Sequence, residues 1–148
     1  MSTTINSPID FQALVDGVGD GIMAADAQGL ITLWNPACER MFGFAEVDAL
    51  GKSLDLIIPQ RQQKPHWEGY DKTMATGITK YGYDVLRVPA MHKDGHTLSI
   101  AFTVSMLHNP DGSVSAIVAV IRDESVKFAQ ERALKKRITE LEMELAAK

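Results

Sequence analysis

Hydrophobic and polar residues alternate most regularly between positions 97 and 107. Every second position from 98 to 106 is apolar, and the positions between them hold serine, alanine or threonine. The apolar set is Leu98, Ile100, Phe102, Val104 and Met106. Because successive side chains of a strand point to opposite faces, this pattern predicts a β-strand with one apolar face. The turn sequences Lys93-Asp94-Gly95 and Asn109-Pro110-Asp111-Gly112 predict hairpins to further strands at 81–91 and 114–121.

The first half of the chain alternates between strand and helix patterns. A short amphipathic helix is predicted after Asp10, and the apolar runs at 22–26 and 30–34 predict a β-hairpin. Asn35-Pro36 marks a helix start, because the asparagine side chain can accept hydrogen bonds from first-turn amides. This helix is expected to end at Gly43.

Three further helical segments follow. Short ones are predicted at 46–50 and 54–59, and a longer one from Pro65 to Ala75 is ended by Gly77. The last of these carries His66 in its first turn. One hairpin, several short helices and three more strands predict an α+β domain, with the helices on one face of an antiparallel sheet.

The C-terminal segment changes to continuous helix-forming residues with many charges. Leu134, Ile138, Leu141 and Leu145 follow spacings of four, three and four, which is the seam of a short coiled coil. A lone surface helix can carry the same stripe. A partner helix from a second copy is favoured, and the chain is predicted to form a homodimer through this helix.

Composition narrows the function classes. The chain has 148 residues, 45% of them hydrophobic, which fits one domain with a substantial core. A formal charge of -4 argues against nucleic-acid binding. No stretch is apolar enough for a membrane span or a signal peptide, so no membrane contact and a cytoplasmic location are expected.

Cys38 is predicted to be a small buried hydrophobe. No nucleophile, carboxylate pair or phosphate loop stands out, so an enzyme is not expected.

The remaining histidines flank predicted turns. His92 and His96 lie on either side of Lys93-Asp94-Gly95, and His108 precedes the second turn. Exposure is expected for all three. His92 and His96 can reach one metal ion only if the turn between them folds tightly.

The order of elements resembles a PAS domain, a small sensory fold of bacterial signalling proteins. The resemblance covers 11–125 and rests on DGIMAADAQGLITLWNPACERMFGF, EVDALGKSLDLIIP, KDG and NPDGSVSAIVAVIRDES. It implies a five-stranded antiparallel sheet with short helices on one face, preceded by a flexible segment at 1–10 and followed by a signalling helix at 126–148. Arg122-Asp123-Glu124-Ser125 is similar to the family's junction, which implies that Asp123 couples sheet and helix; a purely local cap is the alternative.

PAS domains hold haem, flavin, a small carboxylate or nothing. The chain is similar to the haem-binding PAS domains of bacterial oxygen sensors, in which a helix starts with the proximal histidine and ends at a glycine eleven positions later. His66 and Gly77 have this separation, which implies haem b with His66 as the iron ligand. Blue-light relatives carry a reactive cysteine in the region of 58–66, and this chain has none there.

The resemblance also implies the lining of the haem site. The residues expected there are His66, Trp67, Tyr70, Leu86, Arg87, Ile100, Phe102, Val104, Val118 and Val120.

The distal side of this site departs from the family pattern. Leu86 and Asp84 stand where those sensors place a distal arginine or methionine. Three distal arrangements remain open: an apolar pocket, Arg87 turned inward by a bulge at Pro89, or Met91 as sixth ligand. The expected function is a haem sensor that signals gas or redox state to a partner through its C-terminal helix. The alternative is a cofactor-free PAS module for dimerisation or protein interaction.

Overall fold

The computed structural model describes residues 8–79 and 82–148, and its centre is a five-stranded antiparallel sheet. The strands lie side by side in the order β2-β1-β5-β4-β3. Their bounds are β1 Gly21–Asp26, β2 Ile31–Trp34, β3 Leu86–Met91, β4 Thr97–His108 and β5 Val114–Asp123. The predicted α+β architecture, with one hairpin, a helical segment and three further strands, is confirmed.

Helices connect β2 to β3 and flank the sheet at both ends of the chain. In the described part of the chain they are α1 Phe11–Gly17, α2 Pro36–Phe42, α3 Glu46–Ala49, a 3-10 turn Leu54–Leu56, α4 Gln60–Thr76 and α5 Ser125–Ala146. Gly43 ends α2 with a φ of 84°, a left-handed conformation in which glycine has no steric penalty.

One face of the sheet, here called the helix-side face, packs against α2, the 3-10 turn and α4. Residues paired across antiparallel strands share a face, so Met23, Ala119, Val104 and their every-second neighbours lie on the same side. The buried core joins this face to side chains from the helical segment. Its members include Ile31, Trp34, Phe42, Ile57, Tyr70, Leu98, Ile100 and Ile121.

The buried side chain of Asn35 links α1, β1 and α2. It is 1% exposed, and its Oδ1 accepts hydrogen bonds from the backbone N–H groups of Ile22 and Cys38, at 2.9 and 3.1 Å. Its Nδ2 donates to the carbonyls of Val15 and Asp20, at 2.9 and 3.1 Å. All four hydrogen-bonding positions of the amide are thus satisfied by backbone groups.

The helix that carries His66 is longer than predicted. It starts at Gln60, not Pro65, so Pro65 lies inside it and His66 sits in its second turn. Pro65 has no N–H group, so α4 lacks the hydrogen bond that residue 65 would otherwise donate to the carbonyl of Arg61. The predicted end is confirmed, since Gly77 is left-handed with a φ of 72°.

The strand after α4 is shorter than predicted. It was expected from Tyr81, which lies outside the described residues, and in the structure β3 begins at Leu86, opposite Phe102. Gly82, with a φ of 57°, belongs to a turn and not to the strand. The predicted flexible segment at 1–10 lies mostly outside the described residues, and Asp10 caps α1 by accepting a hydrogen bond from the N–H of Ala13.

We expect Asn35→Ala to lower the free energy of unfolding by about 3 kcal/mol, because it removes a helix cap and leaves buried N–H and C=O groups without partners. Urea denaturation of the full chain measures this change. Asn109→Ala is the matched control: Asn109 is exposed and donates to the Ser113 hydroxyl, so it should cost below about 1 kcal/mol. Equal losses in the two variants would contradict the role given to Asn35.

Candidate functional site

Helix α4 is attached to the turn between β1 and β2 by two aromatic side chains. Trp67 lies so close to Gly29 that a Cβ at that glycine would come within 2.1 Å of the indole ring. Its Nε1 donates to Asp55 at 2.6 Å. Tyr70 is buried, and its hydroxyl donates to the carbonyl of Asp26. These contacts fix the position of α4 and therefore of His66.

The ring of His66 is partly buried beside these two aromatic residues. Its centroid lies 4.7 Å from that of Trp67 and 5.7 Å from that of Tyr70. Its Nδ1 is buried and has no hydrogen-bond partner, and the same is true of Oε1 of Gln62, one turn earlier. Burial lowers the pKa of His66, and this effect exceeds that of the nearby carboxylates of Asp55 and Asp71, which raise it.

These properties fit a haem ligand. Iron binds the neutral imidazole, which is the form that burial favours at His66, and a ring nitrogen is not occupied by another hydrogen bond. Apolar side chains that a porphyrin requires are present on the helix-side face of the sheet. Of the predicted lining, Ile100 belongs to the buried core, and Phe102 and Trp67 pack against it. Leu86 and Val104 lie on the same face as Phe102.

Two predicted lining residues are on the wrong side of the sheet. Val118 pairs with Ser105 and Val120 pairs with Thr103, so both valines share the face opposite the helices. Strand β5 is apolar on both faces, and its own alternation therefore does not identify the inner side. Ile117, Ala119 and Ile121 are the β5 residues on the helix-side face.

The pairing register of β3 shows which of the three predicted arrangements on the distal side of the haem site agree with the fold. Its pairing with β4 is continuous from Leu86 to Met91, so Pro89 causes no bulge. Arg87 and Met91 therefore lie on the face opposite His66, and Arg87 forms an ion pair with Glu124 at 3.6 Å. Asp84 is exposed before the strand begins. The two readings that placed Arg87 or Met91 at the distal side are wrong, and Leu86 alone of these points toward the helix side.

The junction to α5 is held by local and cross-strand contacts. Asp123 accepts a hydrogen bond from the N–H of Ser125 at 2.8 Å, which is the local cap considered as the alternative. Ser125 in turn accepts one from the N–H of Ser99, at 3.0 Å. Arg122 pairs with Asp20 at 3.1 Å, which links the end of β5 to the start of β1.

Cys38 and the three histidines other than His66 differ in their burial. Cys38 is fully buried, as predicted, and burial raises the pKa of its thiol to about 12. His96 and His108 are exposed, whereas His92 is partly buried. Hydrogen bonds from the N–H and ring of His96 hold the pKa of Asp94 below its usual value.

Sequence reasoning missed the residues that support α4. The sequence pattern identified Asp26 only as the end of a strand, Gly29 only as part of a turn, and Asp55 only as part of a helical turn. A large residue such as Trp67 next to a conspicuous histidine was a signal for an anchoring contact, but its partner lies far away in the chain.

The PAS fold family model matches residues 9–123, and the chain belongs to this family. It is therefore a sensory domain of the kind found in signalling proteins. Sensor protein FixL of Bradyrhizobium diazoefficiens is 22% identical over 135 residues, covering 90% of this chain and 25% of FixL. Oxygen sensor protein DosP of Escherichia coli is 25% identical over 108 residues, covering 73% of this chain and 13% of DosP.

A solved structure shows the same fold. The PAS domain of a Colwellia psychrerythraea protein superposes with a TM-score of 0.67 at 21% identity, covering 78% of this chain and 93% of that one. The chain spans a quarter or less of the length of the two sensor proteins. Within residues 8–79 and 82–148, none of the helices has the length and apolar composition that a membrane span requires.

In the ligand-free protein, we expect NMR titration of the His66 ring to give a pKa below 6.5, the value of an unperturbed histidine. The unfolded chain then binds the proton more strongly than the folded one. Stability should be highest above pH 6.5 and should fall as the pH drops toward the lower folded-state pKa. A His66 pKa at or above 6.5 would contradict the burial of its imidazole.

Proposed function

We propose that this PAS domain binds haem b, with His66 as the proximal iron ligand, and senses a gas or the redox state of the iron. The observation that carries the proposal is the partly buried His66 ring, which has a free nitrogen and is kept neutral by burial. Similarity to a protein named as an oxygen sensor supports it. When bound, haem b supplies an iron atom that takes a diatomic gas or changes its oxidation state.

The residues that would hold the group come from two elements. Trp67 and Tyr70 fix the plane and position of the His66 ring from within α4. Strands β3 and β4 offer an apolar surface formed by Leu86, Ile100, Phe102 and Val104. Arg61 and Lys64 are exposed at the start of α4 and provide cations for the propionates. Haem binding therefore needs no charge to be buried in the core.

The proposed distal side is apolar. Arg87 and Met91 lie on the other face of the sheet, so neither donates a hydrogen bond to a bound gas nor acts as sixth ligand. A partly negative dioxygen gains most from such a donor, whereas carbon monoxide and nitric oxide need it less. We therefore propose carbon monoxide or nitric oxide as the better ligand.

The proposed output runs from β3 and β4 to α5. The Arg87–Glu124 ion pair and the Ser99–Ser125 hydrogen bond connect these strands to the first turn of α5. Further along α5, the predicted coiled-coil seam is exposed, with Leu134 at 63%, Ile138 at 54% and Leu141 at 42%. We propose that this seam pairs with that of a second copy and that the paired helices signal to a partner protein.

A second candidate is a cofactor-free PAS module that mediates dimerisation or protein interaction. It is favoured by the hydrogen bonds of Trp67 and Tyr70, which hold α4 against the rest of the core with protein groups alone. The exposed seam of α5 serves this function as well as the first.

Haem binding can be tested by titrating hemin into the purified protein. We expect a Soret band with one haem per chain, and we expect His66→Ala to abolish or shift it because the iron loses its protein ligand. His108→Ala is the control, since His108 is exposed at the end of β4 and should leave the spectrum unchanged. If the wild-type protein gains no Soret band, the cofactor-free module replaces the sensor. A band that is identical in His66→Ala would reject His66 as the ligand.

The helix seam can be tested independently of haem. We expect Leu141→Lys to convert the dimer to a monomer, because it places a charge in the apolar contact between two helices. Met143→Lys is the matched control: it also replaces an apolar side chain by lysine, but at an exposed α5 position outside the seam, and it should leave the dimer intact. Light scattering measures the mass of each variant. A monomeric wild type, or equal effects of the two changes, would refute dimerisation through the seam.

A further inference from the structure

The turn between β3 and β4 folds tightly enough to bring two histidines together. The N–H of His92 donates to the carbonyl of His96 at 2.9 Å. Gly95 has a φ of 93°, a conformation that permits this short connection. The two imidazole rings stack, with centroids 4.5 Å apart and an interplanar angle of 22°. Both rings therefore lie on the same side of the turn.

Asp94 completes a set of three metal-ligand side chains. Its Oδ1 lies 3.2 Å from Nδ1 of His92 and forms a hydrogen bond with Nδ1 of His96. One ligand atom from each of the three residues lies within 4.8 Å of the other two. Two imidazole nitrogens and a carboxylate oxygen are donors that Zn²⁺ binds in proteins.

The spacing agrees with that of a metal site. Ligand atoms bound tetrahedrally at about 2.0–2.2 Å lie about 3.3 Å from one another. The pair formed by His92 and Asp94 already has this separation. His96 lies closer to Asp94 because their side chains are hydrogen-bonded, and the exposed side chain of His96 is free to move outward.

One of the three ligands is held firmly in place. The ring of His92 packs against Gly43, where a Cβ would come within 2.6 Å of its Cε1. The N–H of Lys93 donates to the carbonyl of Phe42 at 2.9 Å and fixes the turn to the end of α2. His96 and Asp94 are exposed, so water can occupy the remaining coordination positions.

We propose that His92, Asp94 and His96 bind a divalent transition metal ion of the zinc type. The ion takes the place of the proton between His96 and Asp94, and that proton moves to the other nitrogen of the His96 ring. It also replaces the hydrogen bond that the N–H of Asp94 donates to His92. Two imidazole ligands favour Zn²⁺ over Mg²⁺ or Ca²⁺, which prefer oxygen.

The site is independent of the proposed haem ligand. His66 lies on α4, whereas the three metal ligands lie on one turn that is attached to α2. A bound ion joins both ends of the turn and stabilises the folded state, because the unfolded chain does not hold the three donors together. The β3–β4 hairpin thereby becomes a point at which metal supply affects the sensor.

The test uses the full chain without an affinity tag, free of haem and stripped of metal. Calorimetric titration with Zn²⁺ should show one ion per chain. His96→Ala should weaken the affinity at least about tenfold, since it removes a direct ligand. His108→Ala and His66→Ala are controls and should leave the affinity unchanged. No saturable one-to-one binding, or equal affinity of wild type and His96→Ala, would overturn the proposal.

A second measurement locates the ion without any substitution. NMR spectra of the histidine ring nitrogens should show shifts for His92 and His96 when Zn²⁺ is added, with little change for His66 and His108. Mg²⁺ at the same concentration should produce no shift. Shifts confined to other histidines, or an equal response to Mg²⁺, would show that the three residues do not form the site.

Discussion

The buried amide of Asn35 is the interaction on which the placement of the candidate site depends. It holds α1, the start of β1 and the start of α2 together through four hydrogen bonds to backbone groups. Such a group is stable inside a core only when every donor and acceptor has a partner, so the three elements have one arrangement. The β1–β2 hairpin is fixed by this arrangement. Trp67 and Tyr70 then attach α4 to the end of β1 and its turn, and the ring of His66 packs beside these two aromatic residues.

Local chemistry in the sequence determines much of this fold. The alternation at 97–107, the Asn35-Pro36 helix start and the glycines that end α2 and α4 each depend on neighbouring residues, and each is found in the structure. The predicted start of α4 was wrong because, in a sequence, a proline within the first or second turn of a helix looks the same as a proline at its start. Nothing local distinguishes the two cases.

The errors at the site have a different origin. Val118 and Val120 were assigned to the inner face, but β5 is apolar on both faces, and only its pairing with β1 and β4 determines the side. The contacts that hold α4 in place were not predicted for the same reason. Trp67 contacts Asp55 and Gly29, which are 12 and 38 positions away in the chain. The contact between the rings of His92 and His96 depends on the backbone conformation of the turn that joins them. Pairing between strands and long-range packing contribute information that a residue pattern does not contain.

The alternation of side chains along β3 places neighbouring residues against the helix-side face and against the start of α5. Leu86 points to the helix-side face, and the next residue, Arg87, points to the other face and pairs with Glu124 at the start of α5. In the proposed output path, a displacement of Leu86 by a ligand beneath α4 would also displace Arg87, because the two residues are adjacent in one strand. The ion pair is partly exposed, so its own contribution to stability is small. In the proposed sensor, the position of this ion pair at the start of α5 therefore matters more than its contribution to stability.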